Sequence, residues 1–240
     1  MGKLAQGQDR SSWEQRAIDR SLQRAQERAA TRPLAAAREI VAAGMDLLHE
    51  TGGFDFTVKQ VSVRAGVALQ TVYRHFDTKD RLVLAVLEES VRAGAEAIAK
   101  QSAAVSDPLE KVRAVVTGPS RLLSPGVIGQ SEAAVVREHL RLQVNFASEI
   151  DVITAPYREL LLEVLESASA AGQLHLVNPE ADARILQHLV MSYFHQFALK
   201  AIPGDAVETG DYLWGFCRAA LDRGRTVAAR PAASKSSRKR

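Results

Sequence analysis

The stretch from Thr57 to Phe76 limits what this chain can fold into more than any other. Thr57 and Gln60 make a capping-box pair, in which the hydroxyl takes an amide of the first turn and the amide side chain reaches back, so a helix starts there. Ser62, four residues before Gly66, is small enough for the place where two helices cross at close to a right angle. Gly66 allows the positive φ that closes the turn. Beyond it Val67, Val72 and Phe76 pack inward against Val58 and Val61, which leaves Gln70, Thr71 and Arg74 on the outward face of the second helix. A helix of this diameter fits the major groove of double-stranded DNA, where such side chains read base edges and arginine favours guanine.

The flanking sequence is helical almost throughout. Leu34, Ala37, Ile40, Val41, Gly44, Leu47 and Leu48 recur at steps of three and four, predicting an amphipathic helix that Gly52-Gly53 ends. A long helix is predicted from Thr78 to about residue 105. Asp107-Pro108 opens another, with breaks expected at Gly118-Pro119 and around Ser124-Pro125-Gly126. Helices follow at roughly 128–146, 149–171, 179–202 and 206–223, and strands are hardly suggested anywhere. Residues 12–31 favour a separate helix, stopped at Arg32-Pro33. The predicted fold class is all-α: an N-terminal three-helix helix-turn-helix head followed by a larger helical ligand-binding and dimerisation body. The expected divisions are a basic extension over 1–32, a head over 33–81, a body over 82–224 and a disordered basic tail over 225–240.

Charge is segregated along the chain. Residues 1–33 hold seven basic and four acidic residues, 34–81 six of each, 82–224 twelve basic and eighteen acidic, and 225–240 six basic and none acidic. Basic ends are drawn to a polyanion that an acidic body repels, although solubilising tails would carry the same charge. No apolar run reaches the about 18 residues a membrane helix needs, and the first residues show neither a secretory core nor a myristoylation pattern, so a cytoplasmic protein without membrane contact is expected. The lone Cys217 can neither close an internal disulfide nor build a thiolate site. No Gly-rich phosphate loop, nucleophile elbow or Cys-His pairing is present, so no enzyme and no cofactor is expected. His188 and His195 share a helical face but lack a third ligand at metal spacing, so no metal is expected.

The long first helix, the Ala65-Gly66-Val67 turn, Thr71-Val72-Tyr73-Arg74-His75-Phe76 and the following Thr78-Lys79-Asp80-Arg81-Leu82 are similar to the N-terminal signature of the tetracycline-repressor (TetR) family. The resemblance is close over about 34–87 and elsewhere extends only to length and helical pattern. It implies phosphate contacts from Thr57, Tyr73, His75 and Lys79, and base-edge or methyl contacts from Leu69, Gln70, Thr71 and Arg74. Two of these have independent support. Lys79 opposes the macrodipole at a helix start, a cost that makes sense beside a phosphate. Tyr73 offers a hydroxyl on an apolar ring, suited to a backbone phosphate. Leu69 fits a thymine-methyl contact or the core, and His75 fits a cap or packing role as well as DNA. Ala68 departs from the pattern, since the family commonly places a hydroxyl residue there to cap the recognition helix, a bond worth ~1 kcal/mol.

Arg16, Arg20, Arg24, Arg28 and Arg32 recur at every fourth position, a ridge that follows a phosphate backbone or enters a minor groove, or else a solvated face pairing with Asp19 and Glu27. In the body, Leu186, Leu189, Val190 and Tyr193 are expected to face Trp214, Cys217 and Leu221, and the resemblance implies a four-helix homodimer interface there. A two-fold protein matches a palindromic operator. His139, Gln143, Phe146, Tyr157, His188, Met191, Phe194, His195 and Trp214 are candidates to line a cavity for a small apolar or aromatic effector, although ordinary core is the other reading of most of them. The implied function is a DNA-binding transcriptional regulator, a repressor released by its effector. The alternatives are a DNA-organising protein without sequence choice and an effector-binding module without DNA binding.

Overall fold

The structure, a computed structural model, describes residues 34–123 and 131–221. Helix α1 covers described residues 34–51. It is followed by α2 (Val58–Arg64), α3 (Leu69–His75), α4 (Lys79–Ala103), α5 (Pro108–Leu122), α6 (Glu132–Gln143), α7 (Ala147–Ala170), α8 (Pro179–Ala198) and α9 (Ala206–Leu221). No strand occurs among the described residues. The predicted helix over 12–31, the arginine ridge, the break at Ser124-Pro125-Gly126 and the tail lie outside the described residues.

Helix ends follow local chemistry. Thr78, Asp107 and Asn178 each cap a helix by accepting an amide of its first turn, from Arg81, Glu110 and Ala181 respectively. Gly52 closes α1 at φ +68°.

Two apolar clusters hold the molecule. The first joins Ile40, Leu47 and Leu48 of α1, Phe54, Phe56, Val61 of α2, Val72 of α3 and Leu82, Val86 and Leu87 of α4. It continues into the body through Ala134 and Leu142 of α6 and Ile150 and Ile153 of α7. The second is built by the far half of α4 (Ala95, Ile98) with α5, α7, α8 and α9. Helix α4 thus serves both cores, and the expected division between 81 and 82 falls in its first turn. Truncating a fully buried residue such as Leu87 to alanine removes ~2–5 kcal/mol.

The break expected at Gly118-Pro119 does not occur, because α5 runs through both residues. Pro119 has no amide to give the Val115 carbonyl, but the buried Tyr157 hydroxyl of α7 donates to that oxygen at 3.0 Å. Gly118 has its own reason to be glycine: a Cβ there would come within 2.8 Å of Ile98. The Gly-Pro pair therefore marks a close crossing of α4 and α5, supported from outside the helix.

Candidate nucleic-acid interface and ligand cavities

The head presents α3 by the route the sequence predicts. Thr57 and Gln60 cap α2 reciprocally: the Thr57 amide donates to Gln60 Oε1 at 2.7 Å and the Gln60 amide to Thr57 Oγ1 at 3.2 Å. Ser62 is buried at the crossing and donates to the Lys59 carbonyl at 2.8 Å. Gly66, at φ +66°, sits where the Val67 amide reaches the Ser62 carbonyl at 3.0 Å and its own amide the Val63 carbonyl at 3.2 Å, a Schellman closure that needs a left-handed residue. Ala68 begins α3 with no side-chain cap. Val72 is fully buried beneath α3. On the opposite side Gln70, Tyr73 and Arg74 are exposed, Thr71 is half-buried and Leu69 is 41% exposed.

Electrostatics single out Arg74. The neighbouring Arg64 is held by Glu50 at 2.6 Å, and their hydrogen bond lowers the Glu50 pKa. Arg81 is held by Glu149 at 2.7 Å. Arg74 makes no hydrogen bond or ion pair among the described residues. Lys79 differs from expectation: its ammonium donates to the Phe54 carbonyl at 3.2 Å and lies 5.7 Å from the Phe56 ring centre, so part of its cost at the start of α4 is offset inside the head. His75 is half-buried and its Nε2 is buried without a partner among the described residues, which turns that nitrogen away from any phosphate. The sequence reading missed Lys59, exposed in the first turn of α2 beside Thr57. A cation set against a helix start, the signal that marks Lys79, marks Lys59 equally.

Head and body are clasped at the start of α4. Arg141 of α6 bonds both carboxylate oxygens of Asp80, at 2.7 and 3.4 Å, and this holds the Asp80 pKa below the usual carboxylate range. Arg81 reaches Glu149 of α7, with its guanidinium 4.9 Å from the Phe146 ring centre.

Two cavities open in the body, each of about 440 Å3. One is mostly apolar and is walled by Val91, Gly94 and Ile98 of α4, Pro119 and Leu122 of α5, Glu132 and Val135 of α6, Tyr157 of α7 and Met191 and Phe194 of α8. The other lies among α6, α7 and α8 and is the more polar of the two, with His139, Gln143, Asp151, Thr154, Gln187, His188, Met191 and His195 around it. The His139 and His195 rings stand 5.1 Å apart there. Burial lowers the pKa of both; His195, further depressed by His139, falls to about 4. No group of three or more metal-ligating side chains occurs among the described residues.

Of the residues expected in one effector pocket, Tyr157 and Phe194 line the apolar cavity, His139, Gln143, His188 and His195 the polar one, and Met191 both. The other two lie elsewhere. Phe146 sits under Arg81 at the head–body clasp, and Trp214 is 7% exposed within the body core. The residues expected at a dimer face lie mostly inside the chain. Leu186, Val190, Trp214, Cys217 and Leu221 are buried in the chain's own core, and Leu189 packs against it. Only Tyr193 of that set is exposed. The apolar side chains that α8 and α9 turn outward are Ile185, Tyr193, Tyr212 and Phe216. Both helices carry more than one apolar stripe, and periodicity does not say which one its own chain covers.

These features define a class: an all-helical chain, over its described residues, with a helix-turn-helix head and a cavity-bearing body. Residues 40–86 match the family model described as "Bacterial regulatory proteins, tetR family", a match confined to this head. No curated protein sequence matches the chain. Among solved structures it is similar to the transcriptional regulator FadR from Bacillus subtilis in complex with stearoyl-CoA, at 16% identity and TM-score 0.59, over 77% of this chain and 98% of that one. A TetR transcription regulator from Haloarcula marismortui is similar at 19% identity and TM-score 0.58, over 78% and 98% of the two chains. AibR, in complex with isovaleryl coenzyme A and operator DNA, is similar at 18% identity and TM-score 0.50, over 75% and 97%. At these identities the likeness carries the fold alone. No helix among the described residues is long and apolar enough to cross a membrane.

Proposed function

We propose that this chain is a homodimeric repressor that grips a two-fold operator through α3 and lets go when a small molecule fills the apolar cavity of the body. The observation that carries the DNA reading is the exposed face of α3, its Arg74 unpaired among the described residues, above a fully buried Val72, in a head where Arg64 and Arg81 are neutralised. Gln70, Thr71 and Arg74 are assigned to base edges and Leu69 to a thymine methyl, its exposure favouring that role over the core. Thr57, Tyr73 and Lys79, joined by Lys59, are assigned to phosphates. His75 is assigned to packing.

Release follows from shared walls. Helices α6 and α7, which help enclose the apolar cavity, also carry Arg141 and Glu149 of the clasp. A ligand that shifts them changes how each head sits on its body, and so the separation of two heads in a dimer. The outward Ile185, Tyr193, Tyr212 and Phe216 supply an apolar face for the second copy.

The test is selection of a binding site from random duplex DNA, followed by anisotropy titrations of the selected site against scrambled competitor at two salt concentrations. A specificity ratio of about 10³ or more is expected. Binding with a steep salt slope and a ratio near one supports the DNA-organising alternative, and no binding at either salt supports the effector module. Repeating the titration without residues 1–30 tests the arginine ridge, since deleting one phosphate-binding side chain lowers the log–log salt slope by ~0.9.

A further inference from the structure

We propose that Glu132 makes the apolar cavity selective for cationic amphiphiles, molecules that carry a protonated amine on an apolar body. The inference rests on the reading of this cavity as the effector site. Glu132 opens α6 and lines the cavity, and its Oε1 is buried without a hydrogen-bond partner among the described residues. Among the described residues no lysine or arginine lines the cavity, and His49, on its α1 wall, does not bond to that oxygen. The Tyr157 hydroxyl is committed to the Val115 carbonyl. A buried carboxylate oxygen without a donor, on the wall of a cavity that Ile98, Val135 and Phe194 also line, is expensive to keep, and an entering molecule can supply its partner. An ammonium group brings opposite charge and up to three donors, and the charge-assisted bond it forms is stronger than a neutral one. The apolar walls take the body of the same molecule.

A carboxylate or phosphate ligand meets the opposite situation, with like charge at Glu132 and no lysine or arginine among the described residues of the wall to answer it. The acyl-CoA ligands of the similar structures are anionic molecules of that kind, so this cavity points to a different effector class. The acidic balance of residues 82–224, eighteen acidic against twelve basic, favours entry of cations in the same sense.

The test uses three probes that share one apolar body, phenylbutylamine, phenylbutanol and phenylbutyrate, titrated calorimetrically into the full-length protein and into Glu132→Gln. In the unaltered protein the amine is expected to bind about tenfold or more tighter than the alcohol, and the carboxylate weakest. Glu132→Gln keeps the shape of the side chain and removes its charge, so it should bring the amine down to the affinity of the alcohol while leaving the alcohol within about twofold. Binding of the alcohol with no preference for the amine overturns the proposal and leaves the cavity as a ligand site, as does a preference that survives Glu132→Gln. Failure of all three probes to bind either protein removes the cavity reading, and the proposal with it. The comparison within the unaltered protein stands even where the variant does not fold.

Discussion

His139 and His195 face each other across the polar cavity, with Asp151, tied to Arg158 at 2.9 Å, and the exposed His188 on the same wall. Burial depresses both facing imidazoles, His195 to about 4, so at neutral pH the pair is uncharged. An unfolded imidazole titrates near 6.5. As pH falls from there toward 4, the unfolded chain takes up protons that the folded chain refuses, and stability declines across that window. Asp80 and Glu149 act lower, since their depressed pKa values keep their contribution intact until the pH drops through the carboxylate range. Urea midpoints measured from pH 7 to 4.5 should therefore fall in the unaltered protein and fall less in His195→Gln; parallel curves would clear the pair of responsibility. Arg74 offers a second test at this scale. Arg74→Ala should reduce discrimination between operator variants by ~1–3 kcal/mol, whereas Lys79→Ala should weaken all sequences alike. Unchanged ranking of operator variants in Arg74→Ala would end its role in base readout. The outward positions of Gln70, Thr71 and Arg74 follow from helical period alone and were legible in the sequence. The burial of His75 Nε2 and the meeting of His139 with His195 depend on neighbours from other helices, which no local pattern reveals.

Helix α5 shows the same difference between elements. A Gly-Pro pair states that a backbone bond is missing, and a break is the sound expectation where nothing else can supply it. Tyr157 supplies it from α7, too far along the chain for any window to see. Removing that hydroxyl leaves a buried carbonyl without a partner, so Tyr157→Phe should cost ~1–3 kcal/mol. Pro119→Ala restores the amide, and in that background Tyr157→Phe should cost distinctly less. Denaturant unfolding of the four proteins of this double-mutant cycle gives the coupling directly, and additive effects would separate the hydroxyl from the proline. At α3 the local signals hold in both directions: Gly66 closes the turn, and Ala68 leaves α3 without a side-chain cap. Ala68→Ser should accordingly raise stability by ~0.5–2 kcal/mol, seen as a higher denaturant midpoint with an unchanged slope.

On the scale of the whole molecule, α4 makes head and body one object. Its first half closes the head core and its second half the body core, while α6 and α7 reach back into the head cluster. A division drawn from composition and motif cuts the chain at this helix because sequence shows where a motif ends, not which cores a helix serves. The clasp pairs Arg141–Asp80 and Arg81–Glu149 are part-exposed, so water screens them and they add little to stability, and their importance lies in the geometry they hold. The same limit governs the dimer face. Apolar stripes on α8 and α9 are visible in the sequence, but the stripe bearing Leu186, Val190, Trp214 and Cys217 is used by the chain itself. What remains for a second copy is the side bearing Tyr212, 80% exposed, and Phe216, 63% exposed. The two stripes therefore predict opposite phenotypes. Phe216→Arg places a charge on the outer side without disturbing the core, so it should yield a monomer with undiminished helical circular dichroism and an operator affinity reduced to that of a single head on a half-site. Trp214→Arg buries an unpaired charge and should cost ~3 kcal/mol or more, lowering the unfolding midpoint before any change in assembly is read. Sedimentation velocity and circular dichroism on both variants separate these outcomes. A Phe216→Arg protein that remains a dimer would move the interface away from the outer side of α9.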